Sequence, residues 1–287
     1  KGFVVLTGEV GTGKTLLLRC LIGLLKESKD VAYAYIFNGR LSPSEFLQYI
    51  LSDFGIPASG KNKGDLLFDL GKFLISRDSR KMTTVLIVDE AHLLSSDLLE
   101  EVRLLSNLET DDDKLLQIVL VGQPELDEKL DSVELRQLKQ RIAVRTRLDS
   151  LDVEETHRYI HERLYIAGSN LNPNFLFPDE TIAAVYRHSH GSPRLINTLC
   201  ENALITAYAR RLSTIPPEVV DDVAKDFRLG GAIPPQTERT RDSNDLDIQR
   251  ITHLLNDLHT ALRRPSASTP DLGPALAVET SKHEPYI

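Results

Sequence analysis

Four short runs in the first half of the chain are apolar almost without a break. They are Phe3-Val4-Val5-Leu6-Thr7, Val31-Ala32-Tyr33-Ala34-Tyr35-Ile36-Phe37, Val85-Leu86-Ile87-Val88 and Leu115-Leu116-Gln117-Ile118-Val119-Leu120-Val121. Runs of this length and β-branched or aromatic content predict strands buried on both faces. Ile142 to Leu148 is more polar and predicts a fifth strand nearer a sheet edge. Helical patterns lie between them. Leu16 to Leu25 follows the first run, and Leu66, Leu67, Leu70, Phe73 and Leu74 mark one apolar face of a further helix. Ser42-Pro43-Ser44-Glu45 opens another helix with an N-cap, a first-turn proline and an acid at the right offset. Strands alternating with helices predict an α/β fold with a parallel sheet covered on both faces.

From about Asp152 the pattern is helical only, with helices expected over Asp179–Ser189, Pro193–Arg210 and Pro217–Phe227. After Gly230-Gly231 the chain turns polar and rich in Pro, Ser and Thr, a composition that predicts disorder. One island interrupts this tail: Ile248, Ile251, Leu254, Leu255, Leu258 and Leu262 at helical spacing. The spacing leaves open a docking helix or a transient one. The expected organisation is an αβα core over 1–150, a small all-α domain over 151–230, and a tail over 231–287 with an amphipathic helix at 245–263. Lys1 stands almost on the first strand, so the chain reads as a piece of something longer whose lost segment could hold a targeting signal.

Composition narrows the class. Hydrophobic residues make up 41% and charged residues 26%, enough apolar content for a globular core. A net charge of −8 weighs against a basic nucleic-acid binder overall, though a local patch stays open. Cys20 and Cys200 lie far apart on helical patterns and read as buried thiols rather than a disulfide, which suits a reducing cytoplasm. No apolar run approaches a membrane span, and no signal peptide is visible.

The chemistry concentrates at the ends of the predicted strands. Gly8-Glu9-Val10-Gly11-Thr12-Gly13-Lys14-Thr15 is a complete GxxxxGK[ST] loop between a strand and a helix. Glycines let backbone N–H groups wrap phosphates, and the helix N-terminus adds positive partial charge. Lys14 would reach the β- and γ-phosphates of a nucleoside triphosphate, and the Thr15 hydroxyl would ligate Mg²⁺. Val85-Leu86-Ile87-Val88-Asp89-Glu90 is a Walker B pattern, an apolar strand ending in two acids. Asp89 would hold Mg²⁺ through water, since hard cations prefer oxygen ligands, and Glu90 would orient and activate the attacking water. Asp89-Glu90-Ala91-His92 also spells DEAH, but a helicase of that kind needs a second sheet domain, and nothing after Asp152 alternates strand and helix.

Gln123 follows the fourth strand, either as a sensor facing the γ-phosphate or as a turn residue before Pro124. Arg141, just before the fifth strand, could project into a neighbouring subunit's nucleotide site, with Arg136 as the second choice. In His190-Gly191-Ser192-Pro193-Arg194, Ser192 is the expected N-cap and Pro193 the first helical residue. Arg194 could then reach back to the γ-phosphate of its own subunit. His157 and His161 lie four apart on a predicted helix but lack a third ligand at matching spacing. His188 and His190 are better explained by a helix end, and Asp111-Asp112-Asp113 by a solvated loop.

Taken in order, these motifs resemble the AAA+ ATPases, and their wording resembles one branch, the ExeA/GspA family of general-secretion-pathway ATPases. The matching stretches are LTGEVGTGKT, VLIVDEAH, LLSNLET, LLQIVLVGQPEL, LRQLKQRI and GSPRLINTLCENAL, spanning roughly Gly2 to Phe227. The resemblance implies a P-loop NTPase core with a five-stranded parallel sheet, a small all-α lid, and ATP hydrolysis at the interfaces of a homo-oligomer. It implies Lys14 and Thr15 as phosphate and Mg²⁺ contacts, Asp89 and Glu90 as Walker B acids, Gln123 as sensor 1, Arg141 as arginine finger and Arg194 as sensor 2. Family members in secretion systems help assemble the outer-membrane secretin, often with a membrane helix and a peptidoglycan-binding domain, neither of which this sequence shows. The segment that usually helps hold the adenine is also not in it. An ATPase powering assembly of a bacterial envelope export system, cytoplasmic and peripheral to or tethered at the inner membrane, is the leading expectation. A DNA-binding ATPase of the transposition type is the alternative.

Overall fold

The computed structural model describes residues 2–37, 41–110, 114–168 and 173–229. The expected tail helix at 245–263 and the Asp111-Asp112-Asp113 loop lie outside these residues. Five strands form one parallel sheet: β1 (Phe3–Gly8), β2 (Val31–Ile36), β3 (Thr83–Val88), β4 (Gln117–Gly122) and β5 (Ile142–Leu148), in the order β2-β3-β4-β1-β5. The central strands β1, β3 and β4 are buried along their whole length, which is why each reads as an unbroken apolar run.

Side chains alternate across the sheet and divide its core in two. Phe3, Val5, Leu86, Val88, Ile118 and Leu120 face one way. They meet α2 (Pro43–Asp53), α3 (Lys63–Asp78), α4 (Ser96–Leu105), α5 (Glu125–Leu130) and α6 (Arg136–Lys139). Val4, Leu6, Val85, Ile87, Val119 and Val121 face the other way, under Leu17, Leu18, Leu21 and Leu25 of α1 (Lys14–Glu27). The coverage stops at β5, an edge strand as its polar content predicts. Its Ala143, Arg145 and Arg147 are exposed, and Arg145 lies across Asp127 and Asp131. Helix α2 starts as its sequence predicts, with a capping box between Ser42 and Glu45.

The remaining helices are α7 (Val153–Ile166), α8 (Pro173–Leu176), α9 (Asp179–Ser189), α10 (Pro193–Ala209) and α11 (Pro217–Asp226). They enclose a core of their own around Ile160, Phe177, Val185, Leu199 and Val220. A capping box between Asp152 and Glu155 starts α7 directly after the sheet.

One local expectation needs correction. Cys20 is exposed, because it lies on the side of α1 turned from the sheet, while Cys200 is half-buried against the helical core. Burial pushes the Cys200 thiol up to about 12. Ser192 is the N-cap of α10 and Pro193 its first residue, as expected; the Ser192 hydroxyl makes no capping hydrogen bond and stands over Gly11.

Candidate functional site

Strand order builds the site. Because β4 lies between β1 and β3, the loop after β1 and the acids after β3 are held apart by one strand. At ~4.8 Å per strand this leaves a gap of about 10 Å, room for a phosphate chain and a cation, with Gln123 at its floor.

The loop is already wrapped. Gly11 has φ +85°, and a Cβ there would lie 2.8 Å from Ser192 Oγ and 2.9 Å from Arg194 Cβ. Conformation and space both demand glycine. The Lys14 side chain turns back over the loop, its Nζ donating to Gly8 O at 2.7 Å and Glu9 O at 2.8 Å. The Thr12 hydroxyl donates to Glu9 O at 2.9 Å. Burial holds the Lys14 pKa below the usual lysine value, against the opposing pull of Glu90, Asp89, Glu9 and Glu125. Thr15 is exposed in the first turn of α1.

Two helix N-termini meet at this loop. Gly13 caps α1, and at the start of α10 the Arg194 N–H donates to Gly11 O at 3.3 Å. Among the described helices of ten residues or more, α2, α3, α4, α7, α9 and α11 each carry an acid in the first turn. Neither α1 nor α10 does. Two positive helix ends without an acid of their own thus converge at one place, which favours an anion.

Across the gap, Asp89 is buried. Its Oδ2 accepts from the Tyr35 hydroxyl at 3.0 Å and its Oδ1 from the Glu90 N–H at 2.8 Å. Burial first, and then the Asp89 charge, push the Tyr35 phenol up to about 12. Glu90 adopts φ +51°, the left-handed region that non-glycine residues avoid and that recurs at functional sites. Its Oε2 is sealed from solvent without a hydrogen-bond partner and stands 3.4 Å from His92 Nδ1. That nitrogen also accepts the Gln123 N–H at 3.4 Å. Lys129 Nζ pins the turn by donating to His92 O and, at 2.9 Å, to Leu94 O.

Lys14, Thr15, Asp89, Glu90, Gln123 and Arg194 therefore gather at the carboxyl ends of the strands. Arg194 is exposed at the front of α10, beside Gly11. Arg141 stands elsewhere. It precedes β5 at the opposite end of the sheet, where its guanidinium donates to Ser106 Oγ at 2.9 Å and to Asn107 Oδ1. There it lines a cavity of about 280 Å³ with Phe3, Leu116 and Ile118. The seven residues of β5 separate it from Leu148, which packs on Gly8. At ~3.3 Å per residue that is about 20 Å, too far to serve its own loop.

The histidine pair on α7 lies beside an acid of α9. The two rings lie 4.0 Å apart, His157 binds Asp179, and no cluster with metal-holding geometry occurs among the described residues. His188 binds Asp221, and His190 closes α9 with φ +48°. Sequence reasoning missed Tyr35 and His92. The DEAH spelling was a signal for the second; nothing local marked the first.

The AAA domain family matches residues 1–130. The chain is 44% identical over 210 residues, 73% of its length, to General secretion pathway protein A of Aeromonas hydrophila, and it spans 38% of that relative. Among solved structures it is similar to the Aeropyrum pernix ORC2 protein in its ADPNP-ADP complexes, at a TM-score of 0.58 and 16% identity over 81% of this chain and 63% of that one. It is also similar to Cdc6p from Pyrobaculum aerophilum, at a TM-score of 0.58 and 21% identity over 78% of this chain and 60% of that one. At these identities the two structures share the fold.

Proposed function

We propose, for a chain that belongs with the ExeA/GspA-like AAA ATPases, that it binds and hydrolyses ATP to power assembly of a bacterial envelope export system. The observation that carries hydrolysis is the facing of the phosphate loop and the Asp89-Glu90 pair across β4. The extent of identity to General secretion pathway protein A carries the export role.

In this reading Gly8 to Thr15 wrap the phosphates, and Lys14 exchanges the carbonyls of Gly8 and Glu9 for phosphate oxygens. The Thr15 hydroxyl and the Asp89 carboxylate are oxygen donors of the kind Mg²⁺ prefers, and they would hold it. Bound there, the cation would neutralise charge on the phosphates. Glu90 takes a proton from the water that attacks the γ-phosphorus, and the bond to the bridging oxygen breaks to leave ADP and phosphate. Gln123 faces the γ-phosphate from the end of β4. Arg194 reaches it from the lid, which spans residues 151–230. Arg141 acts on a neighbouring subunit, its distance from its own loop being the support for that role. No helix among the described residues is long and apolar enough to cross a membrane. We place the chain in the cytoplasm, peripheral to or tethered at the inner membrane.

ATP turnover measured across protein concentration, with and without duplex DNA and with Glu90→Gln as the blank, tests the reading. Turnover that climbs with concentration and ignores DNA supports it. Stimulation by DNA that fades steeply with salt would replace it with a DNA-bound regulator. Turnover equal to the Glu90→Gln blank would remove hydrolysis altogether.

A further inference from the structure

His92 presents one nitrogen to two groups that make opposite demands on it. The Gln123 N–H needs an acceptor, so it needs the Nδ1 lone pair. The Glu90 carboxylate, 3.4 Å away, accepts only, so it would need a proton on Nδ1. One nitrogen cannot serve both. In the structure the bond goes to Gln123, and Glu90 Oε2 is left buried and unpartnered. The arrangement is not slack packing. The His92 side chain is only 10% exposed, its carbonyl is clamped by Lys129, and a Cβ on Gly122 would lie 3.1 Å from its backbone nitrogen.

We infer that His92 is a positioning residue, resting on the hydrolysis reading above: as the Nε2–H tautomer it fixes the Gln123 loop through Nδ1 while leaving the Glu90 carboxylate free of a donor. The juxtaposition matters because the two flanking residues do different work. Gln123 must be held at a fixed distance from the γ-phosphate. Glu90 must keep an uncommitted oxygen to accept the proton of the attacking water, since a carboxylate already holding a donor is a weaker base. A proton on Nδ1 would undo both at once, releasing the Gln123 loop and occupying Glu90.

Substitution separates this from a merely structural role. The replacement His92→Asn places an amide oxygen near the Nδ1 position and can accept from the Gln123 N–H, whereas His92→Ala cannot. Expected is a kcat about tenfold lower for His92→Ala, the scale of one lost positioning hydrogen bond. Its affinity for a fluorescent ATP analogue and its melting temperature should stay near wild type, and His92→Asn should recover most of the loss. Equal kcat for wild type and His92→Ala, or equal losses for the two variants, would overturn the inference. A loss of nucleotide affinity matching the loss of kcat would do the same. The tautomer gives a readout that does not depend on turnover. Nitrogen-15 NMR of the imidazoles, with His92→Asn assigning the resonance, should show a proton on Nε2 of His92 in the resting protein. A proton on Nδ1 would end the inference even if ATP is hydrolysed. An inactive wild type with the Nε2–H tautomer would instead sink the hydrolysis reading and leave the placement of His92 standing.

Discussion

On the proposed hydrolysis reading, Lys14 and Glu90 separate binding from chemistry at single positions. Lys14→Ala removes the only buried ammonium at the loop among the described residues, so nucleotide affinity is expected to fall at least about tenfold. Glu90→Gln should keep affinity and lose turnover by about a hundredfold or more, the usual worth of a general base. Fluorescent-nucleotide titration beside phosphate release reads both. Because burial lowers the Lys14 pKa, its charge is lost at lower pH than for a free lysine, and ATP affinity should begin to fall earlier on the alkaline side. Lys14→Ala should show no such limb. The cysteines give a further contrast. Cys20 is exposed, whereas the Cys200 thiol is held near 12 against an ordinary 9. A disulfide reagent should therefore label one thiol quickly in the native chain and the second only on unfolding. The raised Cys200 pKa also means that the folded form keeps its proton where the unfolded form loses it. Its contribution to stability is complete below pH 9 and lost between 9 and about 12. Cys200→Ala should flatten that part of an alkaline stability curve.

At the scale of elements, the junction between sheet and lid is the place where one atom matters most. Gly191 has φ +74°, accepts the Leu151 N–H at 2.9 Å, and leaves no room for a Cβ against the Leu151 carbonyl. Gly191→Ala combines backbone strain with a clash and should cost about 2–4 kcal/mol in urea unfolding. A change below about 0.5 kcal/mol would mean that the junction yields. The same junction shows what a sequence can and cannot announce. Strands β1, β3 and β4 were legible because burial on both faces forces an unbroken apolar run, and their ends carry the loop, the acids and Gln123. Pro193 and the capping box of α2 are local signals, and both stand where their spacing puts them. Tyr35 and Asp89 are 54 positions apart, and Gln123 and His92 are 31 apart. Those pairs are set by which strands lie side by side, which no local pattern encodes. The approach of Ser192 and Arg194 to Gly11 is of the same kind, since it joins positions far apart in the chain.

For the whole molecule, the placement of Arg141 makes an assembly testable. Lys14→Ala and Arg141→Ala should each be inactive alone, the first without nucleotide and the second without a donor to offer its neighbour. Mixed together they should regain part of the wild-type turnover, since an intact Arg141 from one chain can then face an intact loop on another. Failure of the mixture to exceed the sum of its components would return Arg141 to a purely local role at Ser106 and Asn107. The meeting of α1 and α10 has a consequence for motion. Two like poles converge on one loop with no acid in the first turn of either helix, so their repulsion works against the Arg194 N–H to Gly11 O bond that joins lid to loop. A polyanion between them turns repulsion into cement, and one with more charge cements more firmly. Loss of a phosphate would then loosen the lid without altering a single contact surface, the electrostatic equivalent of removing a counterweight. Amide exchange in the first turn of α10 should slow from empty protein to ADP to ATP, and an order that ignores ligand charge would show that shape rather than charge moves the lid.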